Sequence, residues 1–402
     1  MILDGPGMAD LVAILPAALG HLCHLILAVN VVSGMGQRES VLDRARIAIF
    51  TAFWVSAGVM LWAHLRAPWW TWPWPIAAYP AACTISGFFI WPVSTLAIAI
   101  RRHPVGISSD RPEVELDLAA SGGANELIGE GHGAWLLRLP GNESFRLRLR
   151  DWEAAIPGLP PALDGLRILQ LTDLHMARCF RPAFFERVVA ACRALPADLV
   201  VLTGDIIEDD EVHDWIRPIL SPLEARLGKY AILGNHDEEH RPDEILAELA
   251  GAGFETMHGT WTTLDVDGVR IALGGTSAPW GPDVDPSAMP SADFRILLSH
   301  SPDRFYRASR WGIELMLSGH NHGGQIRLPI VGAVFMPSVY SRRFDRGFFR
   351  RGPTLMYASD GIAGMHPVRY GCPPEVARIV LRSANVEGTT AHSRRRVVRS
   401  RA

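Results

Sequence analysis

RILLSH (residues 295–300) and ELMLSGHNHGGQ (residues 314–325) each carry an apolar run of strand length that stops on histidine. A run of four to eight residues rich in Leu and Ile reads as a buried strand. The same grammar recurs upstream in LRILQLTDLH (166–175), LVVLTGD (199–205) and KYAILGNHD (229–237). Five strand ends therefore carry Asp173 and His175, Asp205, Asn235 with His236, His300, and His320 with His322. Side chains at the carboxyl ends of strands have a rigid base and an open mouth, which is where open α/β sheets bind ligands. Gly204, Gly234 and Gly319 permit the sharp turns that let these groups converge.

Outward from that cluster, strands alternate with helical segments from residue 163 onward. Residues 182–195 (PAFFERVVAACRAL) place Pro at a first helical position and apolar residues at helical spacing. Residues 242–253 begin with acids and end on glycines, as a capped helix does. The later return to strands predicts an α/β fold with two sheets and helices outside them. Between residues 105 and 160, short alternating segments such as EVELDL and FRLRLR read as strands. They fit either an edge extension of the following sheet or a small β module.

The first hundred residues differ in kind. A mean hydropathy of +0.12 is high for a soluble chain, and the excess lies in three apolar stretches, about 8–32, 47–65 and 76–100. Each reaches roughly the 20 residues that cross a bilayer, and the intervening APWWTWPWP suits an interface. No Lys or Arg precedes the first stretch, which speaks against a cleaved signal peptide. Arg38, Arg44 and Arg46 follow the first span, Arg66 the second, and Arg101 and Arg102 the third. The positive-inside rule then predicts a protein of the inner (cell) membrane with the bulk of the chain cytoplasmic. The expected organisation is a transmembrane region at 1–104, a β-rich link at 105–160, a catalytic domain at 161–384 and a basic, disordered tail at 385–402. The five cysteines form no regular framework and read as packing thiols.

The order Asp173-Leu174-His175, Gly204-Asp205, Gly234-Asn235-His236-Asp237, Ser299-His300 and Gly319-His320-Asn321-His322 resembles the calcineurin-like metallophosphoesterase superfamily. The GGQ after His322 and the GCPPEV at 371–376 look like its membrane-associated branch, which includes bacterial phosphodiesterases and UDP-2,3-diacylglucosamine hydrolases. The resemblance covers residues 157–381. Thr172 and Asn321 depart from the commonest residues, at positions that are not ligands in the family. It implies a two-sheet sandwich flanked by helices, holding two divalent cations (Mn, Fe, Zn or Co). Two cations about 3.5–4 Å apart need a bridging carboxylate. Carried over by motif, Asp205 is that bridge. Asp173, His175 and His322 complete one shell; Asn235, His300 and His320 complete the other. A metal-activated hydroxide would attack the phosphorus, His236 would protonate the leaving oxygen, and Asp237 would orient His236.

The expected substrate is a phosphodiester or pyrophosphate, lipid-linked or nucleotide-sugar in character, with UDP-2,3-diacylglucosamine the first to test; membrane lipid is the expected partner. A net charge of −3 and no basic stripe interleaved with aromatics argue against nucleic acid. A catalytically silent metal-bound scaffold or sensor is the alternative, and it should lack a ligand or the histidine acid. A transporter would want more ionisable residues in its spans than His21, His24 and His64. Arg178 and Arg369 are weaker candidates for phosphate contact. His213, His240 and His258 read as surface histidines, Trp280 and Trp311 as packing residues.

Overall fold

Leu199 and Val201 face one way from their strand, Val200 and Leu202 the other, and all four are buried. A strand apolar on both faces must be covered on both, and the computed structural model of the protein shows by what. It describes residue 12 and residues 14–101, 104–109, 113–329 and 331–384. The basic tail, Arg102 and the start of the first apolar stretch lie outside the described residues. The chain divides into two compact units, Met1–Arg101 with Leu328–Arg343, and Arg102–Arg327 with Phe344–Ala402.

The second unit holds two sheets. Strands β1 (Ile107–Ser108), β2 (Val114–Asp117), β3 (Arg146–Ile156), β4 (Arg167–Leu171), β5 (Leu199–Thr203), β6 (Lys229–Ile232) and β7 (Phe254–Thr256) belong to the first. Strands β8 (Thr260–Val266), β9 (Val269–Thr276), β10 (Phe294–Ser299), β11 (Leu315–Ser318), β12 (Gly347–Arg351) and β13 (Thr354–Ala358) build the second. The last strand, β14 (Glu375–Ser383), returns to the first sheet, parallel to β3 and antiparallel to β4. Strands β4 to β7 run parallel, as do β9, β10, β11 and β13. The segment between the apolar stretches and β4 thus extends the sheet through β1–β3.

Facing side chains of the two sheets make one core: Ile168, Leu199, Val201 and Ile232 from the first, Ile271, Leu273, Ile296 and Leu317 from the second. Helices cover the outer faces. Phe184, Phe185 and Val188 of Pro182–Cys192, Ile216 of His213–Leu220, and Ile245 of Pro242–Gly251 pack on the first sheet. Phe305 and Ala308 of Phe305–Arg310 pack on the second. The sandwich flanked by helices is the fold expected from the sequence. At about 25 cal/mol per Å² of apolar surface, such residues supply the main drive for folding.

The first unit contains helices Leu15–Ser33, Glu39–His64 and Trp74–Ile85, the last continuing through one π-helical turn into Trp91–Arg101. Among the described residues, three spans, Leu15–Ser33, Ser40–His64 and Trp74–Ile100, are long and apolar enough to cross a membrane. Trp54, Val55 and Phe89 on them are more than 60% exposed, which suits lipid and not water. Glycine sets the closest helix approach: a Cβ on Gly20 would lie 1.6 Å from the Cys83 carbonyl oxygen. All five cysteines are free and buried.

Candidate metal centre

Every carboxyl end that the sequence singled out is the end of a parallel strand: β4, β5 and β6 in one sheet, β10 and β11 in the other. The loops beyond them are bent hard. Asp173, His175, Asp205, His320 and His322 all take positive φ, between 40° and 68°. L-residues avoid that region, and such strain persists where the surroundings over-determine it, commonly at functional sites. Gly204 makes one of these turns possible, since a Cβ there would meet Gly234 N and His300 Nδ1 at 2.6 Å.

The structure gathers the expected ligands into two groups, Asp173, His175, Asp205 and His322, and Asp205, His300 and His320. Asp205 belongs to both. Its Oδ2 lies 3.3 Å from His175 Nε2 and 3.2 Å from His300 Nε2. Asn235 Oδ1 joins the second group, 3.1 Å from His300 Nε2. His175 Nε2 and His322 Nε2 are 3.2 Å apart, and two imidazole nitrogens that close need a shared proton or a shared cation. Asp205 Oδ1 accepts the His236 amide at 3.0 Å, but Oδ2 is buried with no hydrogen-bond partner. A buried carboxylate oxygen is costly to leave unsatisfied. Convergent imidazole and carboxylate donors around that oxygen fit divalent cations of the Mn, Fe, Zn or Co type.

The far nitrogens of the ligand imidazoles are also engaged. His175 Nδ1 meets Glu208 Oε2 at 2.6 Å, His300 Nδ1 meets the Thr203 carbonyl at 2.8 Å, and His322 Nδ1 meets the Ala363 carbonyl at 3.0 Å. Each such bond puts the proton on Nδ1 and leaves the Nε2 lone pair for a metal. Glu208 Oε2 also lies 2.9 Å from Nδ1 of His236, whose side chain is 18% exposed and so reaches solvent.

Three expectations change here, for Asp237, Arg369 and His213. Asp237 does not orient the His236 ring: its carboxylate accepts the amides of Gly234, Ile206 and Ile207 at 2.8–3.1 Å and so pins two strand-end loops. Glu208, which the sequence did not single out, holds the ring. Arg369 is not a phosphate contact, being 1% exposed with its guanidinium on the carbonyls of Asp360, Ala363 and Cys372. His213 is buried, bonded to the carbonyls of Asp210 and His240. Trp280 packs at the centre itself, its ring 4.6 Å from that of His320, while Trp311 packs against the second sheet's outer core. Arg178 pairs with Asp209 and Glu211.

Burial favours neutral forms here, and the neighbours decide which groups resist it. Asp205 opposes its burial through His300, His236 and His175, which hold it well below the usual carboxylate range. Glu208, half-buried, is brought down to about 2 against that desolvation by its hydrogen bonds to His175 and His236. His236 is raised, despite its partial burial, by Asp205 and Glu208. Burial, reinforced by His175, lowers His322, which favours the neutral ligand form. The cluster thus holds fixed anions at its floor and a protonatable imidazole at its rim.

The sequence pattern of the calcineurin-like phosphoesterases matches residues 166–324, from the start of β4 to just past His322. The metallophosphoesterase YkuE of Bacillus subtilis (strain 168), itself uncharacterized, is 32% identical over 237 residues, covering 56% of this chain and 82% of YkuE. The chain belongs to the calcineurin-like phosphoesterase family. Among its family relatives is the phosphodiesterase YaeI of Escherichia coli (strain K12), 30% identical over 54% of this chain and 82% of YaeI. Another is the UDP-2,3-diacylglucosamine pyrophosphatase LpxG of Chlamydia muridarum (strain MoPn / Nigg), 26% identical over 58% of this chain and 88% of LpxG. As a calcineurin-like phosphoesterase, the chain is a metal-dependent hydrolase.

Proposed function

We propose that this calcineurin-like phosphoesterase is a membrane-anchored, two-metal enzyme that cleaves phosphodiester or pyrophosphate bonds in an amphiphilic substrate. The observation that carries the two-metal reading is Asp205: one buried carboxylate oxygen, without a hydrogen bond, that faces imidazoles of both candidate ligand groups. Asp173, His175, His322 and Asp205 would hold one cation; Asp205, Asn235, His300 and His320 the other. Bound divalent cations supply a water of lowered pKa and polarise phosphoryl oxygens. Asp173 and Asp205 offset only two of the four positive charges, so the floor of the site attracts a phosphate ester. His236 is held at Nδ1 by Glu208, and its Nε2 donates the proton that the departing oxygen needs. A silent scaffold has no use for that acid, and the convergence of the candidate ligand groups beside it supports the enzyme.

Three spans long and apolar enough for a bilayer support anchoring, and the arginines beyond the first and third support a cytoplasmic catalytic unit. Anchoring raises the effective concentration of a substrate held in the same bilayer. Likeness to LpxG makes an acylated nucleotide-sugar pyrophosphate the first physiological class to test. In organisation, residues 1–104 form the anchor, joined by 328–343, residues 105–160 the sheet extension, 161–327 with 344–384 the hydrolase, and 385–402 a basic tail. The test is hydrolysis by the metal-stripped full-length protein in lipid, with Mn, Fe, Zn or Co restored. Bis(p-nitrophenyl) phosphate, a monoester and UDP-2,3-diacylglucosamine are compared. Metal-dependent cleavage of diester or pyrophosphate supports the reading; metal binding without turnover of any of the three overturns it.

A further inference from the structure

Sixteen residues of the chain, Leu328–Arg343, leave the phosphoesterase unit and belong with the apolar helices. They begin six residues after His322 and, apart from the short strand Gly332–Ala333 and a 3-10 turn from Ser341, carry irregular backbone, so their polar groups need partners. The helices supply them. Asn30, in Leu15–Ser33 and 1% exposed, accepts the Met336 amide at 2.9 Å through Oδ1. Its Nδ2 donates to the Val334 carbonyl at 3.3 Å and to Ser341 Oγ at 3.1 Å. Arg342, 7% exposed, donates to the Val331 carbonyl at 2.6 Å and to Thr95 Oγ1 at 2.9 Å, with its guanidinium 3.5 Å from the Trp91 ring centroid. At Gly34 a Cβ would lie 2.3 Å from Val339 N, so only glycine admits the segment so near.

If the three helices span a bilayer, these contacts also set a depth and a side. Thr95 and Trp91 stand five and nine residues before the end of the span Trp74–Ile100, roughly 7–14 Å along a helix. Asn30 stands about 5 Å before the end of the span Leu15–Ser33. An interfacial element sinks about 5–10 Å, to the boundary of headgroups and acyl chains. With three crossings, the first and third spans end on one side of the bilayer. The phosphoesterase follows the third span, so its chain reaches this depth without crossing. Irregular backbone survives at membrane depth only where protein satisfies it, and Asn30 and Arg342 do so. Leu328 and Phe335 meanwhile remain 48% and 46% exposed.

We propose that Leu328–Arg343 is a re-entrant loop inserted into the bilayer, where Leu328 and Phe335 contact acyl chains. The proposal rests on the anchoring reading, and its test separates the two. Phe335→Cys, Leu328→Cys, Val55→Cys and Asp243→Cys are made singly in the full chain, whose own cysteines are buried. Each is reconstituted in phosphatidylcholine–phosphatidylglycerol vesicles and labelled with an environment-sensitive nitrobenzoxadiazole. Val55 reports the second span, and exposed Asp243 reports the phosphoesterase. The expected result is blue-shifted emission, quenched by spin-labelled lipid, at residues 55, 328 and 335 and not at 243. Quenching at 55 with water-like emission at both 328 and 335 overturns the loop alone. Water-like emission at 55 overturns anchoring and the loop with it. Circular dichroism of each variant checks folding, and two loop positions keep the test decisive if one variant fails to fold.

Discussion

Glu208 Oε2 lies 2.9 Å from Nδ1 of His236. The same oxygen is 2.6 Å from Nδ1 of His175, so one carboxylate steadies both an imidazole of a candidate metal group and the imidazole proposed as the proton donor. Loss of its charge should be felt in metal affinity and in proton transfer together.

Glu208→Gln is therefore expected to lower metal affinity or turnover about 10–100-fold, the usual cost of losing a partner of a ligating imidazole. A pH signature should accompany the loss. Glu208 helps to raise His236 against its burial, and the acid works only while protonated. Activity falls as pH rises through the His236 pKa. Without the Glu208 charge that pKa drops, so the alkaline limb of kcat moves to lower pH. A pH profile at saturating metal, with the limb unmoved, would assign Glu208 to ligand support alone.

Trp280 closes the side of His320, with ring centroids 4.6 Å apart. Trp280→Ala should free that imidazole to rotate and weaken the Asp205–His300–His320 group more than the other. About a tenfold loss of apparent affinity for one ion is expected, by analogy with other supporting residues. Calorimetric titration of metal into the stripped protein reads this as one weakened and one unchanged site.

Far from the centre, Asp198 is buried, which by itself would raise its pKa. Hydrogen bonds from Arg167 and Arg226 nevertheless bring it down to about 2. A carboxyl depressed on folding stabilises the native state above its unfolded pKa, and that contribution is lost as pH falls through the folded value. The window is thus about pH 4 down to about pH 2. Asp198→Asn should cost about 1–2 kcal/mol at pH 7, after allowing for solvent screening of the exposed arginines. The gap between its thermal midpoint and the wild type's should close as pH is lowered through that window.

The convergence of the candidate ligands was legible in the sequence because each follows an apolar strand, and parallel strands bring their carboxyl ends to one edge. His320 follows Ser318 as directly as Asp205 follows Thr203, and His322 comes two residues later. Glu208 was not legible: it is one of 42 acidic residues, and only the folded loop turns it toward two imidazoles. Asp237 looked like a partner for its neighbour His236, but the strand-end turn aims its carboxylate at backbone amides. Trp280 reaches His320 across a loop whose path no periodicity encodes. The helices were visible as apolar runs; the attachment of Leu328–Arg343 to them was not. It depends on pairs such as Asn30 and Met336, 306 positions apart.

Asp205 tests the whole account most directly, as the carboxylate common to both ligand groups. Metal content and diester hydrolysis should be measured together on full-length wild type and Asp205→Asn, by elemental analysis after equilibration with Mn or Zn. Two ions per wild-type chain are expected, with at most one and no metal-dependent turnover in the variant. One ion per wild-type chain, or a variant that keeps both ions and its activity, would contradict a two-metal centre built on Asp205.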